Sequence, residues 1–249
     1  MLDAALAGRL YSPRVESRRQ PPIAFAHRGA SAHEPANTLA AFRLALRLGA
    51  TGLEADAWTT ADGVVVLDHD GRVRSGLRRV PVAEVPRSAL PASVPSLDEL
   101  YADCGTDYEL SLDVRSPATA GAAVSVVRAA GPEAPGRLWL CHPDLDVVTD
   151  WRRRFPDVRI VNSTRLSALR RGPERRAAQL AEAGIDAVNL HYDDWTGGLV
   201  ALFHRFERLA FGWDAQHERM VRALARMGID GVYGDHVDRL VDGLGLAAP

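Results

Sequence analysis

The stretch PIAFAHRGASAHEPANTLAAFRLALRLG, residues 22–49, decides the fold prediction. It begins with an apolar run of the length of a buried strand and ends with a stretch whose apolar residues share one helical face. Asn37 or Thr38 is a suitable N-cap for that helix. The polar pair His27 and Arg28 follows the strand directly, which predicts a strand, a polar turn and a helix in succession.

The same succession repeats along the rest of the chain. The candidate strands are PIAFAH, GLEADAW, VVVLDH, YELSLDV, RLWLCH, RIVNST, AVNLHY, LAFGW and GVYGD, with amphipathic stretches between most of them. This alternation predicts a parallel sheet covered by helices, the α/β class. Eight or nine strands in 249 residues favour a single closed β/α barrel of the TIM type, while a doubly wound open sheet is the rival. We expect residues 1–20 to form an N-terminal arm and residues 21–249 to form the barrel domain.

Two segments depart from a regular barrel. Only TTADG, residues 59–63, separates the second candidate strand from the third, and this is too short for a helix. Its Asp62-Gly63 turn predicts a short antiparallel ribbon between strands 2 and 3. Residues 71–97 are rich in arginine, proline and serine, and we expect them to form a long loop excursion at one end of the barrel.

Composition limits the function classes. A content of 47% hydrophobic and 25% charged residues is ordinary for a soluble globular protein, and the net charge of −2 argues against non-specific nucleic-acid binding. The chain contains no lysine, which excludes Schiff-base and lysine-base mechanisms. Two cysteines, no signal-peptide core and no transmembrane segment predict a cytoplasmic protein. The oligomeric state stays open.

Carboxylates stand where barrel strands end, and this is where a β/α barrel places its active site. Glu54 and Asp56 are two residues apart and therefore point to the same face of their strand, as do Asp113 and Arg115. Three carboxylates at a barrel mouth are costly unless they are paired or bind a metal. They could bind Mg²⁺ or Ca²⁺, or they could form ion pairs with Arg28 and Arg115 and no metal.

Two histidines and two arginines complete the polar groups at these strand ends. His27 and His69 suit a base and an acid that work near neutral pH. Arg28 and Arg115 suit a phosphate, because each guanidinium can donate two parallel hydrogen bonds. Trp213 suits either barrel packing or a wall against the substrate. Together these groups indicate phosphoryl transfer rather than hydride or acyl transfer.

Several of these segments resemble a known family. AHRGASAHEPANTLAAF, GATGLEADAWTTADGVVVLDHD, YELSLDVRSP, LAFGWDAQ and MGIDGVYGD closely resemble the glycerophosphodiester phosphodiesterases, in order from about residue 22 to residue 244. The resemblance implies a barrel of the phosphatidylinositol-phospholipase-C-like type. It implies hydrolysis of glycerophosphodiesters, small-molecule substrates, to glycerol 3-phosphate and an alcohol with a divalent cation. His27 and His69 would then be the acid/base pair, and Arg28 would hold the phosphate.

The resemblance also implies a metal site, with some departures. Glu54 and Asp56 would bind the cation, Asp113 would be the third ligand, and Arg115 would replace the phosphate-facing lysine of the family. The family usually has glutamate where this chain has Asp113, and Glu-Asn-Thr where it has an alanine at Ala36. The shorter carboxylate predicts a changed binding mode for the metal.

Two other functions remain open at this point. A lysophospholipase D that acts on lipid phosphodiesters would be favoured by an exposed apolar surface in residues 71–97. A non-catalytic barrel that binds a phosphorylated ligand would be compatible with the departures at Ala36 and Asp113. The matched histidine pair argues against the second alternative, because binding alone requires no acid and base.

Overall fold

Strands and helices alternate along the chain. The computed structural model describes residues 15–75 and 78–246. The strands are β1 (Ile23–His27), β2 (Gly52–Thr59), β3 (Val65–Leu67), β4 (Arg72–Ser75), β5 (Arg78–Pro81), β6 (Glu109–Val114), β7 (Leu138–His142), β8 (Arg159–Ser163), β9 (Ala187–His191), β10 (Leu209–Trp213) and β11 (Gly231–Gly234). The helices are α1 (Leu39–Arg47), α2 (Leu97–Cys104), α3 (Thr119–Ala130), α4 (Leu145–Arg154), α5 (Pro173–Glu182), α6 (Gly197–Arg205), α7 (Glu218–Met227) and α8 (Val237–Leu244).

Eight parallel strands close into a barrel. Strands β1, β2 and β6 to β11 follow one another around it, and β1 closes it by pairing with both β2 and β11. Ala26 thus lies opposite Leu53 on one side and Gly234 on the other. The predicted TIM-type barrel is confirmed. The predicted start of the first helix is also correct, since the Thr38 side chain accepts a hydrogen bond from Ala41 N.

Aromatic side chains fill the interior of the barrel. Phe25 stacks on Tyr233 at a ring distance of 4.4 Å, and Phe211 meets Trp139 edge to face at 5.1 Å. Gly52 makes room for this packing, because a Cβ there would lie 2.6 Å from the Phe25 ring. These packed aromatic rings fill the barrel below its carboxyl-terminal mouth, so that only the mouth is left as a cavity.

The predicted ribbon forms between β2 and β3. The two strands pair antiparallel, with Ala57 opposite Leu67, across the turn that contains Gly63 at φ +86°. Strand β3 therefore lies outside the barrel, which reduces the nine candidate strands to eight barrel strands. The residues that follow β3 therefore do not lie at the carboxyl end of a barrel strand.

The excursion over residues 71–97 contains an antiparallel β4–β5 hairpin and two short 3-10 helices. Its apolar side chains form a small core of their own, in which Val73, Val82 and Leu90 pack with Val66. Val80 and Val85 are partly buried against the same cluster. Leu77, an apolar residue of the same segment, lies outside the described residues.

The described part of the predicted N-terminal arm begins at residue 15 and crosses the end of the barrel away from the mouth. Ser17 Oγ and the backbone N–H groups of Arg18 and Arg19 all donate to Oδ1 of Asp230, at 2.8, 2.6 and 3.2 Å. The division between arm and barrel at residue 20 stays a prediction. Among the helices of the described residues, none has the length and apolar character needed to cross a membrane.

Candidate active site

His27 and Asp235 meet at the mouth of the barrel, because β1 and β11 are neighbours and their carboxyl ends lie side by side. His27 Nδ1 lies 2.6 Å from Asp235 Oδ1. Ser31 Oγ donates both to Asp235 Oδ1, at 3.1 Å, and to the carbonyl of His27, at 2.8 Å. The histidine ring is therefore oriented by a carboxylate that a third residue also holds.

The charges around His27 change its protonation. Burial lowers the pKa of His27, but Glu54 and the hydrogen bond to Asp235 outweigh this effect, and the pKa is raised above 6.5. His27 Nε2 lies 3.9 Å from Glu54 Oε2. The hydrogen bond from His27 in turn lowers the pKa of Asp235. Asp235 was not predicted as a site residue, although it is the last residue of the candidate strand GVYGD and the strand-end rule would have found it.

Three carboxylates of β2 and β6, called here the carboxylate cluster, face the same cavity: Glu54, Asp56 and Asp113. Asp56 lies directly opposite Asp113 in the register of the two strands, and Glu54 precedes Asp56 by two residues. Burial raises the pKa of Glu54 to about 7, and the neighbouring Asp56 and Asp113 contribute to this rise. Burial also raises the pKa of Asp113. The cluster therefore holds negative charge in a poorly solvated place.

Two arginines compensate part of this charge. Arg28 Nε lies 3.0 Å from Asp56 Oδ2, and Arg115 Nη2 lies 3.3 Å from Asp56 Oδ1 and 3.1 Å from Asp113 Oδ2. The ion pairs that were predicted as the alternative to a metal are thus present. Arg28 has φ +55°, in the left-handed region that non-glycine residues seldom adopt, and such conformations cluster at functional sites.

The charge and the unused polar atoms fit a cation and an anionic ligand. The cluster carries three carboxylates against two guanidinium groups, so one negative charge is uncompensated when all three are ionised. Asn37 donates to Asp56 Oδ2 at 3.3 Å, but its Oδ1 is buried without a hydrogen-bond partner. Arg28 Nε, although close to Asp56, is likewise not aligned for a hydrogen bond. An all-oxygen donor set of this kind suits Mg²⁺ or Ca²⁺.

His69 is not brought into the cavity. It follows β3, outside the barrel, and its side chain is 48% exposed and hydrogen-bonded through Nδ1 to Asp70 Oδ1 at 2.9 Å. It lies near the rim, because the adjacent Asp68 donates its N–H to the carbonyl of Asp56 at 3.0 Å. His69 lies outside the cavity because β3 runs antiparallel to β2. The predicted role of His69 stays a prediction.

A single cavity of about 620 Å³ contains the remaining predicted residues. Its lining includes His27, Arg28, Glu54, Asp56, Asp113, Arg115 and Trp213. On the far wall, the Arg165 guanidinium lies 4.6 Å from the centre of the Trp213 ring. Asn189 also lines this wall, and its Oδ1 is buried without a partner. Arg165 and Asn189 were not predicted, although they lie in or just after the candidate strands RIVNST and AVNLHY.

Fold and site together define a β/α-barrel protein whose mouth combines an oriented histidine, a carboxylate cluster and two arginines, a set suited to chemistry on a phosphate ester. Comparison with known proteins agrees with this class. Residues 27–102 match the model of the Glycerophosphoryl diester phosphodiesterase family. The chain is 27% identical to a protein of Mycobacterium tuberculosis named probable glycerophosphodiester phosphodiesterase 2, over 93% of this chain and 94% of that protein.

Solved structures share the fold. A crystal structure of a protein from Silicibacter pomeroyi superposes with a TM-score of 0.80 at 24% identity, covering 95% of this chain and 96% of that one. A phosphodiesterase from Oleispira antarctica, in complex with the product sn-glycerol-3-phosphate, superposes with a TM-score of 0.77 at 19% identity, covering 90% and 97%. The predicted resemblance to the glycerophosphodiester phosphodiesterases and the enzyme class predicted from the sequence are confirmed by these comparisons.

Proposed function

We propose that this chain hydrolyses glycerophosphodiesters to glycerol 3-phosphate and an alcohol at the mouth of its barrel. The observation that carries the proposal is the joint presence, in one cavity, of the His27–Asp235 pair, the carboxylate cluster, Arg28 and Arg115. Binding of an anion alone would need arginines but no oriented histidine. The relative from Oleispira antarctica, which holds sn-glycerol-3-phosphate, supports the substrate class.

The carboxylate cluster would hold a divalent cation, Mg²⁺ or Ca²⁺. Its three carboxylates carry the uncompensated charge, and Asn37 adds an unpartnered amide oxygen beside Asp56. When bound, the cation would supply electrostatic stabilisation of the charge that develops on the phosphate oxygens. Arg28 and Arg115 would hold the remaining phosphate oxygens, because each can donate hydrogen bonds while it stays ion-paired with Asp56 or Asp113.

His27 is the candidate general base. Asp235 accepts a hydrogen bond from Nδ1–H, which leaves Nε2 free to take the proton of a glycerol hydroxyl as the hydroxyl oxygen attacks phosphorus. His69 would give a proton to the departing alcohol from the rim, and a cyclic phosphate would result. Water would then open this cyclic phosphate while the two histidines exchange roles, which releases glycerol 3-phosphate.

A coupled assay for glycerol 3-phosphate release tests the proposal. Glycerophosphocholine, glycerophosphoethanolamine and glycerophosphoglycerol would each be offered with Mg²⁺, with Ca²⁺ and with chelator. We expect cation-dependent release from at least one substrate, and a loss of at least about 10²-fold in turnover for His27→Ala, the scale of a general base. The exposed His217→Ala serves as the control. Silence of the folded wild-type protein on every diester and with either cation would overturn the proposal.

The lipid-diester alternative receives less support. Exposed apolar side chains in residues 71–97 would favour it, whereas Val73, Val82 and Leu90 of that segment are buried together. Lysophosphatidylcholine in the same assay, with choline as the measured product, tests it directly. The cytoplasmic location that cysteine usage suggests stays a prediction.

A further inference from the structure

A second group of potential metal ligands lies outside the cavity, where the β1–α1 loop meets the start of α8. His33, His236 and Asp238 bring one ligand atom each to within 4.8 Å of one another, the one such group of three among residues 15–75 and 78–246. His33 Nε2 lies 3.8 Å from Asp238 Oδ1, and the two imidazole rings are 5.9 Å apart, edge to face. The proposed function uses none of these three residues.

Their ligand atoms are available. Within the described part of the chain, neither histidine ring forms a hydrogen bond, and the 3.8 Å between His33 and Asp238 is too long for one. Helix α8 does not use the His236 side chain as a cap. Two imidazoles and a carboxylate therefore lie close together, and within the described residues their side chains form no hydrogen bond with one another or with any other group.

Both segments that carry the ligands are held by backbone hydrogen bonds. His33 N donates to Ala30 O at 2.9 Å, and Ala32 N donates across to Asp235 O at 3.3 Å. On the other side, Leu240 N donates to His236 O at 3.1 Å as the first turn of α8 forms. The relative position of the ligands is thus set by the fold, which lowers the conformational entropy that binding would cost.

We propose that His33, His236 and Asp238 form a site for a divalent transition metal of the zinc and cobalt class, separate from the carboxylate cluster. Imidazole nitrogen selects such metals, whereas a set of carboxylates alone suits Mg²⁺ or Ca²⁺. Three protein ligands leave an open position for water. Tetrahedral zinc needs ligand atoms roughly 3.3 Å apart. The side chains of His33 and Asp238, 43% and 57% exposed, have room to rotate inward.

The site lies on the outer side of the segments that position the candidate base. Asp235, which holds His27, immediately precedes His236, and Ser31, which bonds Asp235, is two residues before His33. A metal here would connect the β1–α1 loop to α8. Because it binds the folded state, it would also raise the melting temperature.

Cobalt titration tests the site without any substrate, so the result is independent of the proposed hydrolysis. Co²⁺ would be added to the full chain in excess Mg²⁺, which competes for oxygen-ligand sites such as the carboxylate cluster, and the visible absorption of the cobalt complex and the melting temperature would be followed. We expect one saturable equivalent in the wild type and binding weaker by about tenfold or more in His33→Ala and His236→Ala.

His217→Ala is the matched control, because His217 is an exposed histidine that precedes a neighbouring helix, α7, but lies outside the group. The control should bind Co²⁺ as the wild type does. The absence of saturable binding in the wild type, unchanged affinity in both histidine variants, or an equal loss in His217→Ala would each overturn the proposal. All three substituted side chains are at the surface or the rim, so the melting temperature without metal verifies folding.

Discussion

His27 Nδ1 lies 2.6 Å from Asp235 Oδ1, and this contact joins the end of the first barrel strand to the end of the last. A charge at position 235 therefore acts on the candidate base through the closure of the barrel. The same contact lowers the pKa of Asp235 and contributes to the raised pKa of His27. The pair determines both which ring nitrogen carries the proton and at which pH the ring loses its charge.

Replacing Asp235 by asparagine should change the rate and its pH dependence together. We expect turnover to fall by about 10²-fold or more, because the ring loses its preferred tautomer and orientation. A base must be deprotonated, so the acid limb of kcat/KM should lie above the ordinary histidine value of 6.5 in the wild type. It should move to lower pH in Asp235→Asn. An unmoved limb would contradict the role, and the exposed Asp242→Asn on α8 is the control.

The same pair should contribute to stability within a defined pH window. Because the pKa of His27 is higher in the folded state than in the unfolded state, protonated His27 stabilises the fold. This stabilisation is complete below pH 6.5, the pKa in the unfolded state, and is lost as the pH rises through the pKa in the folded state. A lowered pKa of Asp235 stabilises above 3.8 and is lost as the pH falls through the folded value. Both contributions are fully present between pH 3.8 and pH 6.5, so the melting temperature of the wild type should exceed that of Asp235→Asn most in this range. An equal difference at pH 9 would contradict the assignment.

The sequence predicted the barrel because its signal is local and repeated. Most barrel strands are short apolar runs followed by an amphipathic helix, and β1, Thr38 and α1 form as this pattern requires. The carboxylate pair Glu54 and Asp56 was equally predictable, since a spacing of two places both side chains on one face of a strand.

The position of His69 could not be derived in this way. The strand-end rule applies to parallel strands, whereas β3 runs antiparallel to the carboxyl-terminal end of β2, and this follows from a turn too short for a helix. Asp235 was missed for a different reason, since its partner His27 is 208 residues away and only closure of the barrel brings the two together. Arg165 lies beside Trp213 because β8 and β10 are separated by one strand of the barrel, a placement that depends on the order of the strands rather than on local sequence.

His69→Ala tests whether the exposed histidine takes part in the reaction. If it protonates the leaving alcohol from the rim, turnover should fall by at least about 10²-fold. The melting temperature should stay unchanged, because the side chain is 48% exposed. The loss should be smaller for a diester with a p-nitrophenol leaving group, which needs no proton to depart. Wild-type turnover, or an equal loss on both substrates, would exclude the role.

Asp113→Asn tests the carboxylate cluster as a cation site. It removes one of three charges while the size of the side chain stays the same, so calorimetry with Ca²⁺ alone should show affinity reduced by about tenfold or more. Asp113→Glu, which retains the charge, should bind Ca²⁺ better than the asparagine variant. Asp157→Asn, in an exposed ion pair with Arg128, is the control. Unchanged affinity in Asp113→Asn would mean that the arginines alone compensate the cluster.

The last prediction concerns Asp230, which is fully buried at the end of the barrel opposite the mouth. Its Oδ1 accepts from Ser17 and from the N–H groups of Arg18 and Arg19, and its Oδ2 accepts from Ala210 N at 2.7 Å. Asp230→Ala would leave Arg18 N and Ala210 N without an acceptor, and it would remove the partner that lies 2.7 Å from His204 Nε2.

We expect this substitution to lower the free energy of unfolding by about 3 kcal/mol or more, because the buried Ala210 N and the mostly buried His204 ring would lose their partner together with the arm. Urea unfolding measures it. Asp157→Ala, which breaks an exposed ion pair, should cost less than about 1 kcal/mol. Amide hydrogen exchange should show loss of protection at residues 18 and 19 together with β10, since one carboxylate holds both. A cost for Asp230→Ala no larger than that of the exposed control would mean that the arm is not fastened to the barrel through this residue.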